Sequence, residues 1–197
     1  IKAGKAVYVQ KPISLTIAEG RTLSDLSRKL GAIVQTGSQQ RSMAPFRFAS
    51  ELVRNGYLGK INRIEVGLEK PYYPDYGLEP PATLPPTLNY DLWLGPAPYK
   101  PYTWQRVVHF RGSFDYSGGY FSDWGAHHLD IVQWALDMDH SGPVLADGKG
   151  IFHDQGIFDV PMSYSVRYEY SNGTSVEASE EFERGIRFIG SEGTFFV

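Results

Sequence analysis

Two histidines and two carboxylates, Asp123, His127, His128 and Asp130, stand within eight residues of one another, just downstream of the pair Gly118-Gly119. Asp123 and His127 are four positions apart, so a helix would place them on one face. A carboxylate beside an imidazole suits proton transfer, because the imidazole is the side chain that titrates near neutral pH. The same spacing also fits an acid near a helix N-terminus with a histidine packed against it, and spacing alone weighs evenly between the two. His128 falls about 100° around the helix from His127 and would face another way. Asp123, His127 and Asp130 could also hold a divalent ion, but a further ligand would have to arrive from a distant segment, and no metal is expected.

Other polar groups fall where a cleft would use them. Lys11 closes an apolar run and precedes Pro12. A lysine at the carboxyl end of a parallel strand lies where open α/β sheets bind ligands, although a solvated strand-end lysine is the commoner case. Gln39, Gln40 and Arg41 follow the next apolar run and could donate hydrogen bonds to hydroxyls or a carboxylate. Trp104, His109, Arg111, Tyr116 and Ser117 precede the glycine pair and could line the same cleft.

These residues need elements to hold them. The stretches 5–10 and 32–36 read as short buried strands on either side of an amphipathic helix over 14–30, which makes one parallel crossover. A second helix is expected over 45–54, ended by Asn55-Gly56, and a strand over 61–68. Residues 70–104 are rich in Pro and Tyr with little regular pattern beyond a helical turn at 90–95, and a loop of this length is usually functional. The acidic and histidine run begins a helix over 121–136. Strict alternation over 162–170, the turn signal Asn172-Gly173 and a return strand over 174–182 predict a hairpin, with one or two further strands over 185–197. Helices on a mostly antiparallel sheet follow.

Composition narrows the function. The 197 residues carry a net charge of -3 with no basic tract, which argues against nucleic acid as a partner. No apolar run approaches the roughly 18 residues that would cross a membrane, so no membrane partner is expected. With no cysteine there is no disulfide, no thiolate nucleophile and no cysteine-bound zinc. The 14% aromatic share suits either a sugar-binding pocket or plain packing, the latter being commoner.

Taken in order, several stretches resemble the Gfo/Idh/MocA oxidoreductase family. They are Ala3 through Pro12 (AGKAVYVQKP), Thr36 through Arg41 (TGSQQR), Gly59-Lys60-Ile61, Tyr90 through Pro96 (YDLWLGP), Gly118 through Asp130, and Gly190 through Gly193 (GSEG). Each is weak alone, but their order and spacing span nearly the whole chain. The resemblance implies an α/β (α+β) architecture. The last crossover of a Rossmann fold would occupy residues 1–41, and an open, mostly antiparallel sheet with helices on one face would occupy residues 42–197. It further implies hydride transfer between NAD or NADP and a sugar, cyclitol or related polyol. Lys11, Asp123 and His127 match the family's catalytic positions, with His127 as acid/base on the reacting hydroxyl and Lys11 and Asp123 positioning and polarising it. Gln10, Lys11, Pro12 and Gln39 would face the cofactor; Arg41, Trp104, Arg111 and His128 would face the substrate.

The sequence departs from the family in two places. Gln10 stands where a Glu is usual, and no G-x-G-x-x-G follows a first strand, nor does an acidic ribose-reading residue. This half-Rossmann reading predicts weak binding of NAD by the 197 residues alone and an inactive fragment of an active parent. It also predicts a homo-oligomer through the open sheet. A leader would lie upstream of Ile1, so localisation stays open, with the cytoplasm as the default and the periplasm the alternative. Two other readings remain: redox-assisted glycoside hydrolysis or lysis within the same family, and a non-catalytic binding or assembly module.

Overall fold

The structure, a computed structural model, describes residues 1–73 and 77–197; the three positions 74–76 of the expected long loop lie outside the described residues. The described residues form two sheets. The first is a parallel pair, β1 (Val7–Gln10) and β2 (Val34–Gly37), joined by helix α1 (Ile17–Lys29). The second has six strands in the order β4-β5-β6-β3-β7-β8, with β3 at Ile61–Gly67, β4 at Leu145–Ile151, β5 at Ser163–Glu169, β6 at Ser175–Ser179, β7 at Gly185–Gly190 and β8 at Thr194–Phe196. All its pairings are antiparallel except β3 with β6.

Local chemistry explains several boundaries. Helix α1 starts three residues later than its apolar pattern suggests, because Thr16 and Glu19 form a capping box: the Thr16 hydroxyl accepts from the Glu19 N–H at 3.2 Å, and the Glu19 carboxylate accepts from the Thr16 N–H at 3.1 Å. Together they satisfy two donors that would otherwise be orphaned. The β5–β6 hairpin turns at Asn172-Gly173 as expected; Gly173 takes φ +86, and the Asn172 side chain accepts from the Thr174 N–H. Strand β4 was not foreseen. Its sequence LADGKGI has two glycines and no alternation, and every residue in it is exposed at the sheet edge.

Two helices cover one face of the large sheet: α2 (Ala44–Arg54) and α5 (Gly119–Ala135). Their apolar sides meet the sheet in one core, in which Ala49, Ile131, Val132, Ile64, Val66, Val176, Ala178, Ile186 and Phe188 are 0% exposed. Burying a side chain such as Phe188 contributes about 1.5–3 kcal/mol. Two short helices, α3 (Tyr90–Leu94) and α4 (Trp104–Val108), and a 3-10 turn at Phe110–Gly112 lead the chain into α5. Helix α5 starts at Gly119 rather than at 121. Gly119 sits at φ +77 and is buried, and an added Cβ would come within 3.0 Å of Val160. The glycine pair thus lets the catalytic-looking helix begin flush against its neighbour. Among the described residues, no helix is long and apolar enough to cross a membrane.

Candidate active site

The fold brings Lys11 and Asp123 together across 112 positions of chain. Lys11 follows the last residue of β1, and Asp123 lies in the second turn of α5. The Lys11 Nζ donates to Asp123 Oδ1 at 2.6 Å and to the Asp123 main-chain carbonyl at 2.6 Å. Both side chains are less than a fifth exposed. From the 3-10 turn, Arg111 Nε donates to the other carboxylate oxygen, Asp123 Oδ2, at 2.9 Å. Burial alone would raise the Asp123 carboxyl, but the hydrogen bonds and charges of Lys11 and Arg111 outweigh it and hold the group below its usual range.

His127 lies one turn further along α5 and is partly buried. Its Nδ1 is buried and has no hydrogen-bond partner among the described residues. Burial, then the Lys11 charge, push its imidazole below the ordinary histidine range, against the opposing pull of Asp123 and Asp130. That direction favours the neutral imidazole, the form able to accept a proton. The two carboxylate oxygens of Asp123 accept from Lys11 and from Arg111, and among the described residues neither accepts from His127 Nδ1. A cavity of about 330 Å³ is lined by Pro12, Tyr116, Gly118 and Ser122 among others, the chain neighbours of Lys11 and Asp123 rather than those residues themselves. It shares Leu15 and Tyr116 with a larger groove of about 680 Å³ beside Trp93 and Phe114.

The remaining expected site residues divide. Gln10 and Pro12 flank Lys11 and are exposed, and Gln39 is exposed in the 3-10 turn Gln39–Ser42 that follows β2. All three lie at the carboxyl ends of the parallel pair, where such sheets bind ligands. Arg111 sits beside Asp123, and its side chain donates to the Asp123 carboxylate. Trp104 opens α4, is 60% exposed, and lines neither cavity.

Two expected substrate contacts do not reach the cleft. His128 is 3% exposed; its ring Nδ1 pairs with the Gly67 carbonyl at 3.1 Å. It packs between α5 and β3, as its angle around the helix implies. Arg41 spends its guanidinium on Asp130, at 2.8 Å from both Nε and Nη2, and on Asp139, at 2.8 Å, while lying over the Trp134 ring. It clamps the end of β2 to α5. That also commits Asp130, and among the described residues no group of acids and histidines is placed to hold a metal ion.

Sequence reasoning missed Tyr73. It is buried in the Pro/Tyr-rich segment, with its ring 4.8 Å from Phe158 and 5.7 Å from Tyr120, and its hydroxyl has no partner among the described residues. Burial chiefly, together with Tyr120, raises its phenol, while Arg111 pulls the other way. Nothing in the period of the sequence could have singled it out. Elsewhere, a cavity of about 500 Å³ between β4, β5 and β6 is lined by Ser163 and Glu180, but Glu180 is already taken by the Ser163 hydroxyl and the Tyr164 N–H.

Comparison with known proteins supports the same picture. Residues 50–197 match the family described as an oxidoreductase family, C-terminal alpha/beta domain. The chain is 24% identical over 202 residues to a scyllo-inositol 2-dehydrogenase (NAD(+)) of Bacillus subtilis (strain 168), covering 98% of this chain and 48% of that protein. It is 25% identical over 203 residues to a myo-inositol 2-dehydrogenase of Thermotoga maritima, covering 100% and 50%. Among solved structures, the WlbA dehydrogenase from Bordetella pertussis, in complex with NADH and UDP-GlcNAcA, superimposes with a TM-score of 0.71 at 17% identity, over 100% of this chain and 49% of that one. The chain spans about half the length of the relatives it matches.

Proposed function

We propose, from the premise that the chain belongs to the Gfo/Idh/MocA oxidoreductase family, that its parent protein is an NAD(P)-dependent dehydrogenase of a cyclitol, sugar or related polyol. The observation that carries this reading is the Lys11–Asp123 ion pair with His127 one helical turn on. These three residues come from elements that only the fold unites.

In this reading His127 takes the proton of the substrate hydroxyl through its Nε2, since Nδ1 is buried. Lys11, positioned by Asp123, donates a hydrogen bond to the same or a neighbouring oxygen and stabilises negative charge as it develops. Gln10, Lys11, Pro12 and Gln39 fit the nicotinamide end of the cofactor, because they sit at the carboxyl ends of β1 and β2. The cofactor, when bound, supplies the hydride acceptor. The glycine-rich turn that would cradle its pyrophosphate is not among these 197 residues. Residues 1–41 and 42–197 are read as a cofactor-side and a substrate-side unit. The uncovered sheet face, where Arg63, Glu65, Glu177 and Arg187 form ion pairs, is read as the homo-oligomer surface.

The test is to mix full-length protein with NAD+ or NADP+ and a panel of inositols and aldoses, following reduced cofactor by its absorbance. Net reduction with at least one polyol is expected. Cleavage of a glycoside with the cofactor regenerated at each turnover would instead select the hydrolase or lyase reading, and no redox change with any substrate would overturn the proposal.

A further inference from the structure

We infer that Arg111 is a positioning residue: it pins Asp123 Oδ2 so that the carboxylate serves Lys11 and does not turn to His127. The inference rests on the reading of Lys11, Asp123 and His127 as the proton-handling centre. It goes beyond that reading by assigning Arg111 a role other than substrate contact.

Three observations carry it. First, Asp123 is the only carboxylate placed on Lys11 among the described residues, and its two oxygens are divided, Oδ1 to Lys11 at 2.6 Å and Oδ2 to Arg111 Nε at 2.9 Å. Second, Arg111 is itself braced, with its guanidinium 4.6 Å from the centre of the Phe110 ring. Third, His127 lies four positions from Asp123 on the same helix, its Nδ1 buried and without a partner among the described residues. An unheld Asp123 Oδ2 and an unpartnered His127 Nδ1, at the i, i+4 spacing at which helical side chains meet, would pair. In this inference Arg111 holds Oδ2 on its own side and so works against that pairing. With it in place, Lys11 keeps its anchor and His127 is left to act as a base.

Removing the pin has a directional consequence. The charged groups that bear on His127 are Lys11 at the end of β1, and Asp123 and Asp130 on its own helix; Lys11 disfavours its proton and the two acids favour it. Freeing Asp123 therefore strengthens the acidic influence, and the His127 titration moves up.

The test is an NMR titration of the histidine ring protons in the 197-residue chain, as wild type, Arg111→Gln and Arg111→Lys, with His128 as an internal reference. The Gln variant is expected to shift the His127 midpoint upward and leave His128 in place, and the Lys variant to lie close to wild type. Unchanged amide dispersion confirms folding. A His127 midpoint that does not move in a folded Arg111→Gln protein overturns the inference, whatever the outcome of the redox assay. In the full-length enzyme, Arg111→Gln should lower kcat about tenfold to a hundredfold, the scale on which misplaced catalytic groups act, with the Lys variant restoring most of it. A rise in KM with kcat unchanged would assign Arg111 to substrate binding instead.

Discussion

The two sheets of this chain are held in opposite ways. The six-stranded sheet and its helices α2 and α5 share a continuous apolar core with side chains at 0% exposure. The β1–α1–β2 unit has none: no residue of α1 is buried, Ile17 is 94% exposed, and Leu15 and Leu30 are about half exposed. What ties the small unit to the large one is polar, namely Lys11 on Asp123 and Arg41 on Asp130 and Asp139. The contrast teaches that Lys11 meets Asp123 at a seam bridged by charge, while Asp123 and His127 stand on a helix anchored in a dry core.

The largest effect should come from the core. Phe188→Ala is expected to cost about 3–5 kcal/mol in urea unfolding, whereas Ile17→Ala should change stability by less than about 0.5 kcal/mol. A cost at Ile17 comparable to that at Phe188 would break the comparison.

Next comes His128, which belongs to the core side of the site. Its imidazole is pushed down from 6.5 to about 4, first by burial. The unfolded chain takes up this proton near pH 6.5, and the fold takes it up only near 4, so stability is full above 6.5 and falls as pH drops through that window. The loss should amount to about 3 kcal/mol. His128→Asn, which keeps a donor for the Gly67 carbonyl, should flatten the dependence when denaturation is followed at several pH values.

A smaller effect is expected at the seam. Arg41→Ala should lower stability by about 1 kcal/mol and reduce hydrogen-exchange protection in β1 and β2 while sparing the large sheet. Added salt should mimic it, since partly exposed ion pairs are screened. Loss of protection spread evenly over both sheets would show that the seam is not separable.

Much of the architecture was legible because periodicity reports burial. The alternation of Tyr164, Val166 and Tyr168 announced β5, Asn172-Gly173 announced its hairpin, and the apolar second half of α5 announced the helix. Strand β4 escaped because an exposed edge imposes no pattern, and the parallel pairing of β3 with β6 escaped because alternation carries no direction. At the site, Asp123 and His127 stood out by spacing, but spacing suggested that they pair with each other. The competing partners, Lys11 and Arg111, lie 112 and 12 positions away, and only folding reveals that they take both carboxylate oxygens. Arg41 looked like a substrate donor because it follows a strand; Asp130 and Asp139, distant in sequence, claim it instead.

The central claim is that His127, set beside the Lys11–Asp123 pair, moves the proton of the reacting hydroxyl. Its most direct test is steady-state turnover of the full-length protein carrying His127→Ala, with the polyol that wild type oxidises fastest. The account predicts that kcat falls by about 10²–10⁴-fold while KM changes little. An unchanged kcat in a folded variant would contradict it.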